Sequence, residues 1–144
     1  MMNILFILLL SWFQTEQKGT LTVKVKDVLQ TQGSVRMAVY NNEKSFPSES
    51  QSFCGDALTL KPGINIQLSC DQLPFGIYAV AVYHDVNNNG KMDKNALGIP
   101  TEPYAFSNNI KVKWRAPKFR EAAFNFAAPH QEIVVVLKRW SAQE

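Results

Sequence analysis

The chain has 144 residues, of which 46% are hydrophobic and 19% are charged, and its formal net charge at neutral pH is +3. This length fits one domain with one core, and the balance of hydrophobic and charged residues excludes an intrinsically disordered chain. The net charge is too small to indicate a nucleic-acid-binding protein, whose surface is usually strongly basic. We therefore predict a single globular domain, a monomer, with no nucleic-acid partner.

An uncharged hydrophobic run occupies the N-terminus from Met1 to Phe13. The run is too short to span a bilayer comfortably and has the length of the hydrophobic core of a signal peptide. No Lys or Arg precedes it and no Ala-x-Ala motif follows it, so a buried N-terminal strand is the alternative. Because the run is terminal and polar residues follow it, we predict a signal peptide over residues 1–18, a domain over residues 19–140, and export to the periplasm, the outer membrane or the extracellular space.

From Thr20 onward the hydrophobic residues recur with a period of two, which is typical of half-buried β-strands. The predicted strands are Leu21–Val25, Val35–Val39, Leu58–Leu60, Ile64–Leu68, Gly76–His84, Ile110–Val112, Phe124–Phe126 and Ile133–Leu137. The strand Gly76–His84 is apolar on both faces and is therefore predicted to be central. A helical turn is expected only at Pro117–Ala122. The pattern predicts an all-β fold, an antiparallel β-sandwich of about seven strands of immunoglobulin or transthyretin-like type.

Two cysteines, Cys54 and Cys70, flank a segment that has the pattern of a β-hairpin. Pro62-Gly63 suits a type II turn, because Pro fixes the first corner and Gly accepts the positive φ of the second. Counting outward from this turn places Cys54 opposite Cys70 or within one residue of it, and facing residues on paired strands have the separation that a disulfide needs. In an exported protein we predict a Cys54–Cys70 disulfide, whereas a reducing compartment would leave two free thiols.

The long connection that begins at Asp85 and runs to Ser107 carries the richest chemistry of the chain. Its first part resembles a calcium-binding EF-hand loop, in which alternate oxygen-bearing side chains point inward and a glycine takes the sharp turn. The predicted ligands are Asp85, Asn87, Asn89 and Asp93 through side chains and Lys91 through its carbonyl, with Gly90 at the turn.

The same loop departs from the EF-hand pattern where the bidentate glutamate belongs, since Ala96 stands there. We predict that Glu102 folds back to complete the shell. So few carboxylates predict a weak site, with a dissociation constant on the order of 10⁻⁴ to 10⁻³ M. The alternative is a loop held only by its own Asx hydrogen bonds.

A hydrolase using His84 with Asp85 or Asp93 is a third hypothesis. Neighbouring residues on a strand point to opposite faces, so His84 and Asp85 are badly placed to act together. The sequence also contains no recognisable nucleophile or phosphate-binding motif. We therefore expect no catalytic activity.

A basic run and a group of aromatic residues suggest contact with glycans, the cell envelope or anionic lipids. The basic residues are Lys111, Lys113, Arg115, Lys118 and Arg120, and the aromatic ones are Tyr104, Phe106, Trp114 and Phe119. Alternation of the first three basic residues with apolar ones predicts one face of a strand, which usually means a solvated edge. For the rings the alternative to a sugar-stacking platform is an aromatic plug under the long loop.

Four segments of the second half of the chain together resemble a bacterial family called domain of unknown function 2141. They are Leu73–Asp85, Asn87–Asp93, Leu97–Asn109 and Ala116–Ala122. The resemblance extends over roughly Gly19 to Leu137. It implies a small exported β-sandwich without an assigned activity, in which the loop from Asp85 to Asp93 and the segment with Gly98 and Glu102 are shared features without a known ligand.

Overall fold

The computed structural model describes residues 15–111 and 115–141. The strands are β1 (Lys18–Lys26), β2 (Ser34–Tyr40), β3 (Cys54–Thr59), β4 (Gln67–Pro74), β5 (Gly76–Asp85), β6 (Tyr104–Phe106), β7 (Phe124–Phe126) and β8 (His130–Val136). The helix α1 spans Phe119–Ala122, and two 3-10 helices span Glu49–Gln51 and Ser107–Asn109. None of the helices in these ranges has the length and apolar character needed to cross a membrane. The predicted hydrophobic run of the signal peptide lies outside the described residues.

The strands form two sheets, which confirms the predicted all-β sandwich. The smaller sheet has the order β4-β1-β8, and the larger has the order β3-β2-β5-β6, with β7 pairing to the other end of β5. β1 and β8 run parallel, whereas every other pair is antiparallel. β5 lies between β2 and β6, so the strand that is apolar on both faces is central, as predicted.

The core lies between the two sheets because each strand turns alternate residues inward. The inward residues of β1, β2 and β5 include Leu21, Val23, Val35, Val39, Val80 and Val82, all of them at most 1% exposed. Burying one such side chain fully contributes roughly 1.5 to 3 kcal/mol. The hydrophobic period of two in the sequence therefore identifies the residues on the two sheet faces that pack against each other.

The outer face of the larger sheet carries a second hydrophobic layer. Ala38 of β2 lies opposite Ala81 of β5, and Tyr40 lies opposite Ala79. Phe46 packs on this face as part of a buried cluster with Ala38, Tyr40 and Ala79. The small alanines leave space above the sheet beside larger rings.

The structure confirms the Cys54–Cys70 disulfide, with 6.4 Å between the two Cα atoms. The predicted hairpin is wrong, because β3 belongs to the larger sheet and β4 to the smaller one. The turn at Pro62-Gly63 exists, but it carries the chain from one sheet to the other. Counting from the turn located the cysteines correctly because edge strands of a sandwich also face each other across the two sheets. The disulfide therefore joins the sheets at one edge.

One further strand prediction and the extent of the predicted loop need correction. Ile110 lies outside the strands and packs against the outer hydrophobic layer, while Val112 and Lys113 lie outside the described residues. In place of a strand at residues 110–112, the chain forms β6 inside the predicted loop, where Ala105 is buried and its two neighbours are half-buried. The connection after β5 is therefore residues 86–103. A three-residue strand is too short to produce a recognisable alternation.

Candidate ligand pocket beside the long loop

Asp85 is the last residue of β5 and fixes the start of the loop. Its side chain is completely buried. Its Oδ1 accepts a hydrogen bond from the backbone N–H of Asn89 at 3.0 Å, and its Oδ2 accepts from the backbone N–H of Gly90 at 2.9 Å. The Nε of Arg36, on the neighbouring strand β2, donates to the same Oδ2 at 3.0 Å. One buried carboxylate thus ties the first turn of the loop to the sheet.

Glu102 holds the loop from its other end and is 6% exposed. Its Oε1 accepts from the N–H of Val86 at 2.9 Å, and its Oε2 accepts from the N–H of Asp93 at 3.0 Å. Glu102 therefore folds back onto the loop and clamps both ends of residues 86–93, while its predicted place in a calcium shell stays a prediction. Backbone N–H groups occupy both of its oxygens.

The tip of this segment is an exposed cluster of amides around Asp93. The Nδ2 atoms of Asn87 and Asn89 donate to the two oxygens of the Asp93 carboxylate, each at 2.7 Å. The N–H of Lys91 donates to Oδ1 of Asn89 at 2.9 Å. These contacts are the Asx hydrogen bonds that form the alternative to a metal site.

Of the six predicted calcium ligands, Asp85 and Glu102 thus accept hydrogen bonds from backbone N–H groups of the loop. The other four, Asn87, Asn89, Lys91 and Asp93, contact one another at its tip, Lys91 through its N–H. The residues described, 15–111 and 115–141, contain no group of three or more His, Cys, Asp or Glu side chains arranged to hold a metal ion. Calcium binding by this loop stays a prediction.

The second half of the connection folds into a small hairpin. The N–H of Thr101 donates to the carbonyl of Asp93, and the N–H of Asn95 donates to the carbonyl of Ile99, each at 2.9 Å. Oδ1 of Asn95 accepts from the N–H of Leu97 at 2.9 Å and from that of Ile99 at 3.1 Å. The turn needs Gly98, whose φ of +76° is unfavourable for other residues. These bonds hold Leu97 at the tip with 83% of its surface exposed.

Between this hairpin and the outer face of the larger sheet lies a cavity of about 440 Å³. The paired alanines Ala38 and Ala81 lie at its floor. Its walls are formed by the hairpin, by β6 and by the segment before α1. The residues lining the walls include Tyr83, Met92, Lys94, Leu97, Ile99, Pro100, Tyr104, Phe106, Arg115, Pro117 and Trp140.

The wall at residues 115–117 is fixed by an ion pair. The two terminal nitrogens of Arg115 donate to the two oxygens of Glu121 at 2.7 and 2.6 Å. The backbone N–H of Lys118 also donates to Glu121, at 2.7 Å. Hydrogen bonding from Arg115, followed by that from Lys118, lowers the pKa of Glu121 to about 2. Glu121 therefore stays ionised at physiological pH.

The aromatic residues beside the pocket pack edge to face. The rings of Tyr104 and Phe106 are 5.7 Å apart with an interplanar angle of 62°. Phe106 and Phe119 both pack against Phe46, with ring centroids 5.8 and 6.1 Å away. This geometry matches the aromatic plug and differs from a coplanar sugar-stacking platform. Trp114, also considered for that platform, lies outside the described residues.

The predicted basic strand is not observed in the described part of the run. Lys111 and Arg115 lie outside the strands, and Lys113 is outside the described residues. Lys118 and Arg120 flank the start of α1 and are exposed. The described basic residues therefore do not share one face of a strand.

His84 lies on the opposite side of β5 from Asp85. It is 1% exposed, and its Nε2 is 2.7 Å from the carbonyl oxygen of Gln32. Neither His84, Asp85 nor Asp93 lines the cavity. This arrangement gives the hydrolase hypothesis no support.

Comparison with known families gives one match, over residues 23–134, to the family described as "Uncharacterized protein conserved in bacteria (DUF2141)". The chain belongs to the DUF2141 family. The match confirms the resemblance seen in the sequence, and it covers all the strands except the ends of β1 and β8. No curated protein and no solved structure matches the chain.

The pocket of this DUF2141 member was not predicted from its sequence. Its floor depends on Ala38 and Ala81 meeting across β2 and β5, and that register is a property of the folded sheet. The alternation of Ala79 and Ala81 on one face of an otherwise bulky strand is the sequence feature that could have indicated space above the sheet. Lys94 and Trp140, on the walls, do not belong to a recognisable sequence motif.

Proposed function

We propose that the protein is an exported, non-enzymatic binding module that holds a small, largely apolar ligand in the pocket beside the long loop. The observation that carries the proposal is the cavity of about 440 Å³, lined mainly by apolar and aromatic side chains. Ligand sites in proteins have volumes of about 300 to 1,000 Å³ and this kind of lining.

The walls of the pocket are held by contacts within the protein, which favours binding. Asp85 and Glu102 hold the loop through hydrogen bonds to its backbone, and Arg115 and Glu121 hold the opposite wall. Since these contacts fix the walls, little conformational entropy would be lost when a ligand enters.

Filling the pocket floor tests the proposal. We expect the neutral fluorescent probe N-phenyl-1-naphthylamine to bind the purified protein, and Ala81→Phe to weaken that binding by about tenfold or more, because the new ring takes the space above the sheet. Fluorescence titration measures both affinities. The matched control is Ala57→Phe, since Ala57 is exposed on β3 and does not line the pocket.

Two results would contradict the proposal. One is a lack of probe binding by the wild-type protein. The other is equal binding by the wild type and the Ala81→Phe variant while circular dichroism shows that both are folded, which would place the probe elsewhere.

Export is supported by the hydrophobic N-terminal run and by the Cys54–Cys70 disulfide. Disulfides persist in oxidising compartments such as the periplasm and the cell exterior. A binding role without catalysis is supported by the burial of His84 away from the pocket. We propose the cell envelope as the location.

A second candidate function is weak calcium binding at the tip of the loop, and it concerns a different part of the same connection. The supporting observation is the convergence of Asn87 and Asn89 on the carboxylate of Asp93 at 2.7 Å. Rotating each amide by half a turn would turn two more oxygens toward the same point. The rotation would also break the hydrogen bonds that the Oδ1 atoms of Asn87 and Asn89 accept from the N–H groups of Asn89 and Lys91. Calcium would then replace the Asx hydrogen bonds.

For a site with a dissociation constant of roughly 1 mM, 10 mM calcium would add about 1.4 kcal/mol to the free energy of unfolding. We expect the melting temperature to rise by about 5 °C relative to chelator, as measured by differential scanning calorimetry. Asp93→Asn should abolish this rise, because it removes a carboxylate while keeping the side-chain shape. Identical melting temperatures in calcium and in chelator would eliminate the site.

A further inference from the structure

The charged residues that line the pocket have one sign. Among the described lining residues, the charged ones are Lys94 and Arg115, and both are cations. Arg115 is already neutralised by Glu121. We infer that the ligand is a ring-bearing apolar molecule with one acidic group, a carboxylate or a sulfonate, and that Lys94 provides its charge partner. This inference rests on the proposed function and specifies the chemistry of its ligand.

Lys94 is placed for this role by the hairpin. It forms a backbone bridge with Pro100, so its Cα is held at the base of the hairpin that forms one wall of the pocket. Lys94 is exposed and also lines the pocket, which makes it a rim residue. Its ammonium group can therefore pair with an acidic group that the ligand keeps in water while its body enters the cavity. A cation at such a rim attracts an anion without the cost of full desolvation.

The neighbouring surface reinforces the preference for an anion. A smaller cavity of about 70 Å³ shares Tyr104, Phe106 and Trp140 with the pocket. Its other lining residues include Lys111, Lys138 and Arg139. These cations line a cavity next to the pocket and favour an anion over a cation there.

The aromatic walls explain the preference for a ring. Tyr104, Phe106 and Trp140 line the pocket together, and aromatic side chains interact favourably with the faces and edges of other rings. Burial raises the pKa of Tyr104, so its hydroxyl stays neutral at physiological pH and does not repel an acidic group.

Two probes with the same aromatic body test the inference. 8-Anilino-1-naphthalenesulfonate is N-phenyl-1-naphthylamine with one added sulfonate. We expect the wild type to bind the sulfonate about fivefold more tightly than the neutral probe, which is the effect of one favourable charge contact at a protein surface. Lys94→Gln should bring the sulfonate down to the affinity of the neutral probe and leave the neutral probe unchanged.

The matched control is Lys91→Gln, which removes the same charge from the same loop at a residue that does not line the pocket. It should leave the ratio of the two affinities near that of the wild type. Ala81→Phe should weaken both probes, which places the sulfonate in this pocket.

The outcomes separate this inference from the proposed function. Equal affinities for the two probes, or an unchanged sulfonate affinity in Lys94→Gln, would overturn the acidic ligand while binding in the pocket stands. Equal loss of sulfonate binding in Lys94→Gln and Lys91→Gln would also overturn it, because the effect would then come from net charge. Failure of Ala81→Phe to weaken the neutral probe would instead overturn the pocket itself.

Discussion

Replacing Asp85 with alanine is expected to lower the free energy of unfolding by about 3 to 4 kcal/mol. The carboxylate is fully buried and accepts hydrogen bonds from the N–H groups of Asn89 and Gly90 and from Arg36. Alanine would remove all three contacts and leave the two N–H groups without their acceptor. Urea denaturation followed by circular dichroism measures the change.

Two further variants test whether the buried carboxylate causes this loss of stability. Asp85→Asn keeps the shape and one acceptor oxygen, so we expect a loss of about 2 kcal/mol. Asp93→Ala removes a carboxylate from the same loop, but its partners Asn87 and Asn89 are exposed and can bond to water, so we expect a loss of about 1 kcal/mol or less. Similar losses for Asp85→Ala and Asp93→Ala would show that the buried end of the loop does not control its stability.

The contrast between these two aspartates changes how the loop is understood. In a calcium loop both would be ligands of one ion, whereas here Asp85 binds the backbone and the sheet, and Asp93 binds amides at the surface. The fixed loop then supports a hairpin whose inner side faces the pocket. Its hydrogen bonds therefore serve the shape of the cavity, and this effect does not depend on whether a cation binds at the tip.

The fold could be predicted from the sequence because one-sided burial leaves a simple pattern. Leu21, Val23 and Val25 alternate with polar residues, and this alternation alone places them on the inward face of β1. The assignment of strands to sheets could not be predicted in the same way. Cys54 and Cys70 fit a hairpin and an inter-sheet edge equally well from their spacing, and only the folded arrangement distinguishes the two.

The candidate site was predictable only where its chemistry is local in sequence. Asp85 and Asp93 and the asparagines between them stand within one short segment, so their mutual contacts were foreseeable. Glu102 was expected at the loop, but its role as an acceptor for two backbone N–H groups depends on the path of the chain between them. The pocket depends on contacts between β2, β5 and residues far along the chain, such as Trp140, and no local pattern encodes those contacts.

Removing the disulfide is expected to have the second large effect on stability. Cys54 and Cys70 are 16 residues apart, and closing a loop of this size in the unfolded chain stabilises the folded state by about 3 kcal/mol in the chain-entropy treatment. We therefore expect the double variant Cys54→Ala/Cys70→Ala to lose about that much free energy of unfolding in urea denaturation. Reduction of the wild-type protein should reproduce the loss.

The variant should nevertheless keep the fold, because the two edge strands have a second connection that does not need sulfur. Oδ2 of Asp56 on β3 accepts a hydrogen bond from the N–H of Ser69 on β4 at 2.9 Å. A double variant as stable as the oxidised wild type would show that the covalent link between the sheets is dispensable.

The redox state of the same cysteines in the cell tests the proposed export. If the protein is exported, thiol labelling of freshly lysed bacteria should modify neither of them before a reductant is added. Labelling without reductant would place the native protein in a reducing compartment and contradict the proposed location.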